Sequence, residues 1–336
     1  MKGLNSKAGR ALTAVASLAI AIIVYGAPLF GASKDAPSWV IEAASRTVPA
    51  YTADVPAAVM FDEHHAIVSP SGAVTTLTRH VVKILTSAGR SEAEGIEFYT
   101  KNGRQVRQLR AWIVVPGRRI KTVDSAMIED LGSFGQLELY DDVRFRRIAF
   151  ENVEVGSIFA YESEVVQTPL FAQDEYDFQN DLPVLNARYV LTLPPAWRAT
   201  GVVFNHQPLQ PVIEGSTYTW ELDNLPPRRK EPEAPSLRGC IPRLGISFKP
   251  PAGTPGAVFA SWTDVSRWET TLTAGQDNPT PEMAAKVGEL TRGVDTQYDK
   301  ARLIGHFVQG IRYVAIEMDS THGGTYRPHK AEMVFG

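Results

Sequence analysis

The chain has 336 residues, of which 44% are hydrophobic and 21% charged, with a formal net charge of −3; this is the composition of a globular protein with room for about two domains. No basic excess is present, which excludes a nucleic-acid binder. The basic clusters Arg118, Arg119 and Lys121, Arg144, Arg146 and Arg147, and Arg228, Arg229 and Lys230 are each broken by acidic or apolar residues, as on solvated faces and linkers.

The N-terminus reads as a secretory leader. Lys2, Lys7 and Arg10 precede an uncharged run over Ala11 to Gly26 containing Leu12, Val15, Leu18, Ile20, Ile22, Ile23 and Val24, and the small residues Gly31, Ala32 and Ser33 follow. Cleavage after Ser33 would place Gly31 and Ser33 at the −3 and −1 positions. The run from Ala11 to Phe30 also approaches the ~20 residues that cross a bilayer. An exported protein is therefore expected, periplasmic, or held at the inner membrane through this apolar segment if the leader is not cleaved. The absence of a cysteine after the leader excludes a lipoprotein.

Residues 50–225 read as a mainly β, β-sandwich-like domain. Behind the turn Ser69-Pro70-Ser71-Gly72, Leu77, Arg79, Val81, Lys83 and Leu85 alternate with Thr78, His80, Val82 and Ile84. Further strands are predicted over Leu109 to Val115, Ile158 to Val166, Val184 to Leu193 and Thr217 to Leu222, punctuated by Pro116-Gly117, Pro194-Pro195 and Pro226-Pro227. Phe134 to Phe145 reads as a looser loop. Residues 226–255 have the proline content of a linker.

Cys240, the only cysteine, falls in that linker. An exported chain with one cysteine has no internal disulfide, and no multi-cysteine zinc site can form. Its nearest upstream histidine in sequence is His206, and no helix begins at Cys240 to lower its pKa; a partly buried structural thiol is expected. In residues 256–336 the period changes to helical. Asp264 can cap a short helix with Val265, Trp268 and Leu272. Thr280-Pro281 opens a second with Met283, Val287 and Leu290, ended by Gly293. Asp295 or Thr296 opens a third with Ala301, Ile304, Phe307 and Val308, ended by Gly310, before a strand over Ile311 to Met318. Three helices and one strand do not enclose a core of their own.

Trp262-Thr263-Asp264-Val265-Ser266-Arg267-Trp268, Ile311-Arg312-Tyr313-Val314-Ala315-Ile316-Glu317 and Gly323-Gly324-Thr325-Tyr326-Arg327-Pro328 resemble the opening of a bacterial transglutaminase-like domain. The upstream β region resembles the domain of unknown function 3857 that precedes such cores in exported bacterial proteins, through Tyr51, Asp54, Ala58, Val59, Gly72, Arg79 and Gly89. The resemblance implies an incomplete α+β, papain/transglutaminase-like segment over 256–336, truncated before the catalytic cysteine of a Gly-Asp-Cys motif and the histidine and aspartate that follow it. Full-length relatives would be cysteine-type acyl transferases or peptidases acting on envelope proteins or peptides. As it stands the chain is expected to be inactive, with no residue assigned a catalytic, cofactor-binding or metal-binding role and no cofactor. The alternative is a periplasmic β-sandwich binding or scaffold module for protein or glycan.

Other candidates fall short on spacing. His306, His322 and His329 lack the i, i+4 spacing of a helical zinc pair. His64 and His65 are adjacent on a strand and would face opposite sides of the sheet. Asp141-Asp142 and Asp174-Glu175 lack the acid spacing of a calcium loop. Gly323-Gly324 lacks the strand–loop–helix context of a phosphate cradle, and no Gly-x-Ser-x-Gly elbow occurs.

Overall fold

The computed structural model describes residues 36–100, 103–117, 120–132, 143–150, 153–229, 233–234, 236–251, 259, 261–311 and 327–335. The expected leader with its Ser33 cleavage position, the acidic pair Asp141-Asp142, the strand predicted after Ile311, His322 and Gly323-Gly324 lie outside the described residues.

The chain is mainly β. A short helix, α1 (Ser38–Ser45), precedes β1 (Ala57–Val68), β2 (Val74–Ile84), β3 (Glu94–Thr100), β4 (Gln105–Val114), β5 (Ile120–Thr122), β6 (Ile128–Leu131) and β7 (Val143–Ala149). Then come β8 (Ile158–Gln167), β9 (Gln173–Asp177), β10 (Val184–Thr192), β11 (Arg198–Phe204), β12 (Val212–Glu214), β13 (Thr217–Leu225) and β14 (Arg243–Lys249). Helices α2 (Trp262–Thr273), α3 (Pro281–Leu290), α4 (Gln297–Gln309) and α5 (Ala331–Phe335) follow.

One eight-stranded sheet runs in the order β12-β13-β10-β1-β2-β8-β4-β5. Two three-stranded sheets, β11-β14-β9 and β3-β7-β6, contribute to the same core as one of its faces. That core joins Val59, Val82, Phe159 and Tyr189 of the large sheet to Tyr176, Leu244, Ile246 and Phe248 of one small sheet and Ile148 of the other. Helix α1 covers part of the opposite face, packing Val40 and Ala43 with Met60, Phe61, Val81 and Trp112. Layers joined by alternating apolar residues are the sandwich solution for strands with a buried face.

Register in this sheet is set by a β-bulge in β1. Val59 pairs with Val82, yet Phe61 pairs with Val81, so Met60 is the extra residue and both Met60 and Phe61 pack on the α1 side. A one-residue shift exchanges the faces of every side chain beyond it. The bulge therefore sends Asp62 and His64 toward the inter-sheet core and Glu63 and His65 to the α1 side, and the two adjacent histidines make separate contacts: His64 with the Tyr176 ring, His65 with Thr192.

Several sequence expectations are corrected here. The stretch 226–255 contains β14, which pairs with both β11 and β9 and buries Leu244, Ile246 and Phe248. Proline content masked a plain two-residue alternation. Val143 to Phe145 begin β7 rather than ending a loop. Arg144, Arg146 and Arg147 on that strand are held by specific partners: Arg144 by Asp130, Arg146 by the Val106 carbonyl, Arg147 by Glu94 and Glu129. The β region also extends past 225 through Lys249.

The C-terminal helices begin where their caps dictate. Ser261, not Asp264, caps α2, while Thr280 caps α3 and Thr296 caps α4. None of α2 to α5 contains a fully buried residue. Trp268 of α2 packs against Phe259 and Phe171.

Gly89 lies in the 3₁₀ turn Ser87–Glu92, where a β-carbon would come 2.1 Å from the Pro56 carbonyl oxygen. Gly89→Ala must move backbone at the entrance to β1 and should lose about 1–3 kcal/mol, read as a lower urea midpoint, whereas exposed Ser87→Ala should leave the midpoint unchanged. Because amphipathic helices are held mainly by what their apolar faces cover, limited proteolysis should cut beyond Lys249 and leave a resistant fragment of the β region. Uniform protection through α5 would contradict this.

Candidate functional site

Two rows of side chains cross the large sheet at the bulge, one on each face. On the α1 side, Arg188, Glu63, Arg79, Glu162 and Arg110 sit directly across from one another on β10, β1, β2, β8 and β4. Glu63 accepts from Arg188 and Arg79, and Glu162 from Arg79 and Arg110, at 2.5–3.2 Å. Alternating charge in register satisfies two nearly inaccessible carboxylates.

The inner row is Ala187, Asp62, His80, Tyr161 and Ala111 on the same strands. His80 Nδ1 lies 2.6 Å from Asp62 Oδ2, and the Tyr176 hydroxyl donates to Oδ1 of the same carboxylate. The His80 ring lies 5.5 Å from the Tyr161 ring, tilted by 33°, and the His64 ring lies 5.2 Å from Tyr176. Burial alone would raise the Asp62 carboxyl, but the hydrogen bond and charge of His80, the charge of His64 and the Tyr176 hydroxyl together hold it below the ordinary carboxylate range. Burial, and next the Asp62 charge, pushes the Tyr176 phenol well up. An ionised carboxylate only accepts, so His80 Nδ1 carries the proton it shares with Asp62.

Asp62 and His80 open onto a cleft of about 330 Å³. Its apolar lining is Val59, Phe178, Val184, Leu237 and Ile241; its polar lining includes Asp177, Gln179 and Arg238. Arg238 donates to Asp177 Oδ2 at 2.9 Å and to Glu175 at 2.7 Å. Apolar lining with a few fixed polar groups is the usual make-up of a small-ligand site. A larger cleft of about 520 Å³ lies beside β3 and β7, lined by Arg90 and by Arg147, which pairs with Glu94 and Glu129.

The structure disperses the remaining sequence candidates. Cys240 is exposed, against the expectation of a partly buried thiol: it follows the 3₁₀ turn Leu237–Gly239, and the buried place goes to Ile241. Leu237, Arg238 and Ile241 line the cleft while Cys240 does not. Asp174 accepts from Tyr189, and Glu175 pairs with Arg238, so the two acids have separate partners. His306 lies on α4. Among the described residues, no three His, Cys, Asp or Glu side chains group to hold a metal ion. Sequence reasoning did not single out Asp62, His80 or Tyr176; the available signal was the polar run Asp62-Glu63-His64-His65 between apolar halves of one strand, facing Arg79-His80 in the next.

Asp62 also sets a pH dependence. A carboxyl held below its unfolded value contributes stability that is full above the unfolded value and lost as pH falls through the folded one. Asp62→Asn should therefore lower the urea midpoint by a constant amount near neutrality, and that gap should close below about pH 4. A gap that stays constant to pH 3 would show that folding does not lower the Asp62 pKa.

With this geometry in place, comparison with other proteins can be set against it. Residues 70–229 match the domain of unknown function DUF3857. That span contains His80, Tyr176, Asp177 and Gln179 but neither β1 nor the 237–241 turn. No curated protein matches the chain. Among solved structures, a candidate protease from Parabacteroides distasonis is similar at 12% identity with a TM-score of 0.64, over 83% of this chain and 55% of that one. The chain thus spans about half of that protein, with which it shares a fold. An M1 zinc metallopeptidase from Deinococcus radiodurans (10% identity, 68% of this chain and 55% of that one, TM-score 0.29) is too distant to define a common fold. So is a candidate nutrient binding protein from Legionella pneumophila (8% identity, 76% and 94%, TM-score 0.29). The chain carries a DUF3857 domain, set within a larger β fold of the kind found in the Parabacteroides protein.

Proposed function

We propose that this chain is the non-catalytic N-terminal part of an exported, transglutaminase-like cysteine acyl transferase or peptidase, and that its β fold recognises a protein or peptide of the cell envelope. The observation that carries the recognition role is the make-up of the cleft. Asp62 and His80 form a hydrogen-bonded polar floor, and the apolar walls suit a peptide side chain better than a glycan. Chemistry needs more than that floor. A histidine oriented by a carboxylate is half of a nucleophile-activating pair, but the cleft lining includes neither serine nor cysteine. The chain's sole thiol, Cys240, is exposed outside it.

Two further facts support the wider reading. The DUF3857 domain is present, and the fold is shared with a candidate protease about twice the covered length. The resemblance of 262–268 to the opening of a transglutaminase-like domain supplies the reaction class, in which a Gly-Asp-Cys thiolate and later histidine and aspartate residues do the acyl transfer. The apolar leader supplies the route of export, with cleavage at Ser33 or retention at the inner membrane.

The test compares this chain with a full-length relative carrying the Gly-Asp-Cys motif, for amine incorporation into a casein-like acceptor and for peptide hydrolysis. The chain should show no turnover, and Cys240→Ala should change nothing. Turnover that disappears with Cys240→Ala would overturn the proposal and make Cys240 the nucleophile.

A further inference from the structure

We infer that the Asp62–His80 cleft is a seat for a primary ammonium group carried on an apolar chain. The inference rests on the recognition role proposed above and names the group that is recognised. The cleft lining includes two buried acceptors without partners, beside the donors of Asn180 and Arg238. Gln179 is only 5% exposed, and its amide nitrogen donates to the carbonyls of Leu182 and Pro226. Two carbonyl partners fix the amide's orientation, which leaves Oε1 as the free end. Oε1 is buried without a hydrogen-bond partner, and so is Asp177 Oδ1. A buried acceptor left unpaired costs about 1–3 kcal/mol, so a ligand that brings donors recovers that cost.

Charge points the same way. Asp177 is paired with Arg238, whose guanidinium is also shared with Glu175. An ammonium group supplies three N–H donors and a positive charge for the Asp177 carboxylate. Val59, Phe178, Val184, Leu237 and Ile241 would hold the hydrocarbon next to it. Both unpaired oxygens are shut off from solvent, so seating the ammonium means parting the Arg238 bridge. That bridge is exposed, with the Arg238 side chain 55% accessible, and exposed pairs are weak. Arg238 thus acts as a resident cation that a ligand replaces.

Two sources share this chemistry, the lysine side chain and the peptide N-terminus, and both can be titrated in solution. Leucinamide carries an α-ammonium, Nα-acetyl-lysinamide carries an ε-ammonium, and Nα-acetyl-leucinamide carries none. The readout is the NMR signals of the Gln179 side-chain amide and the His80 ring. The two ammonium probes should shift them saturably and Nα-acetyl-leucinamide should not, and the tighter of the two identifies the source. Asp177→Asn should weaken binding at least about tenfold, the least expected for one charge-assisted hydrogen bond, with folding checked by its melt. Arg238→Gln should do the opposite and tighten it, which separates ligand competition from damage to the fold. If both ammonium probes leave these signals unmoved, or Nα-acetyl-leucinamide shifts them equally, or a water molecule alone satisfies Gln179 Oε1, the inference fails. A blocked peptide that still shifts the cleft would leave the recognition role standing without it; a cleft that answers to no peptide would remove both.

Discussion

The β-bulge at Met60 is the constraint on which the site depends. Strands have a side-chain period of two, so the residue after a bulge decides which face every later residue occupies. Here it places Asp62 beside His80 and Tyr176, and Glu63 between Arg79 and Arg188. Without the extra residue, a carboxylate meant for two arginines would point into the inter-sheet core, and Asp62 would point at the arginines. Each face is satisfied only in the observed register. A slipped pairing would strand buried charge, and breaking a buried ion pair costs about 3–5 kcal/mol. The two rows thus specify the register as much as they use it.

The two faces also differ in what they can do. On the α1 side the charges are spent on each other: Glu63 and Glu162 are each held between two arginines. Trp39 of α1 lies beneath Arg79 and packs edge-on with Trp112, so this row is partly roofed as well. On the inner face the floor is fixed but the wall is short of donors, at Asp177 and Gln179. Carboxylates saturated by arginines serve the fold. An unsaturated one beside a cleft is where binding free energy is available.

How much of this could be read in the sequence follows from the range of the forces involved. The strands over Ile158, Val184 and Thr217 were legible because alternation and glycine or proline punctuation are local. So were the Thr280 and Thr296 caps, each three residues from the backbone N–H it accepts from. Helix α1, at eight residues, was too short to declare a period, and β14 was hidden by prolines on either side. The site was not legible because its members meet only across the sheets: His80 is 18 residues from Asp62, and Tyr176 is 114. The bulge that unites them has no glycine or proline to announce it.

The extent of the DUF3857 match raises a last point about what constitutes the functional unit. The match begins at Pro70, between β1 and β2, and ends at Arg229, before β14. Yet β1 lies in the interior of the large sheet, antiparallel to β2 and parallel to β10, and β14 is the middle strand of its small sheet. A piece cut at the limits of the match would leave β2 and β10 as open edges and expose Tyr176 and Phe178 where β14 had been. It would also deprive His80 of its carboxylate and Arg79 and Arg188 of Glu63. Strand edges left open in this way invite pairing with other chains. The physical unit therefore includes α1, β1 and β14 along with the matched span, and the cleft belongs to that whole: Asp62 enters from β1, His80 from β2, Asp177 from β9, and Arg238 and Ile241 from the turn that leads into β14.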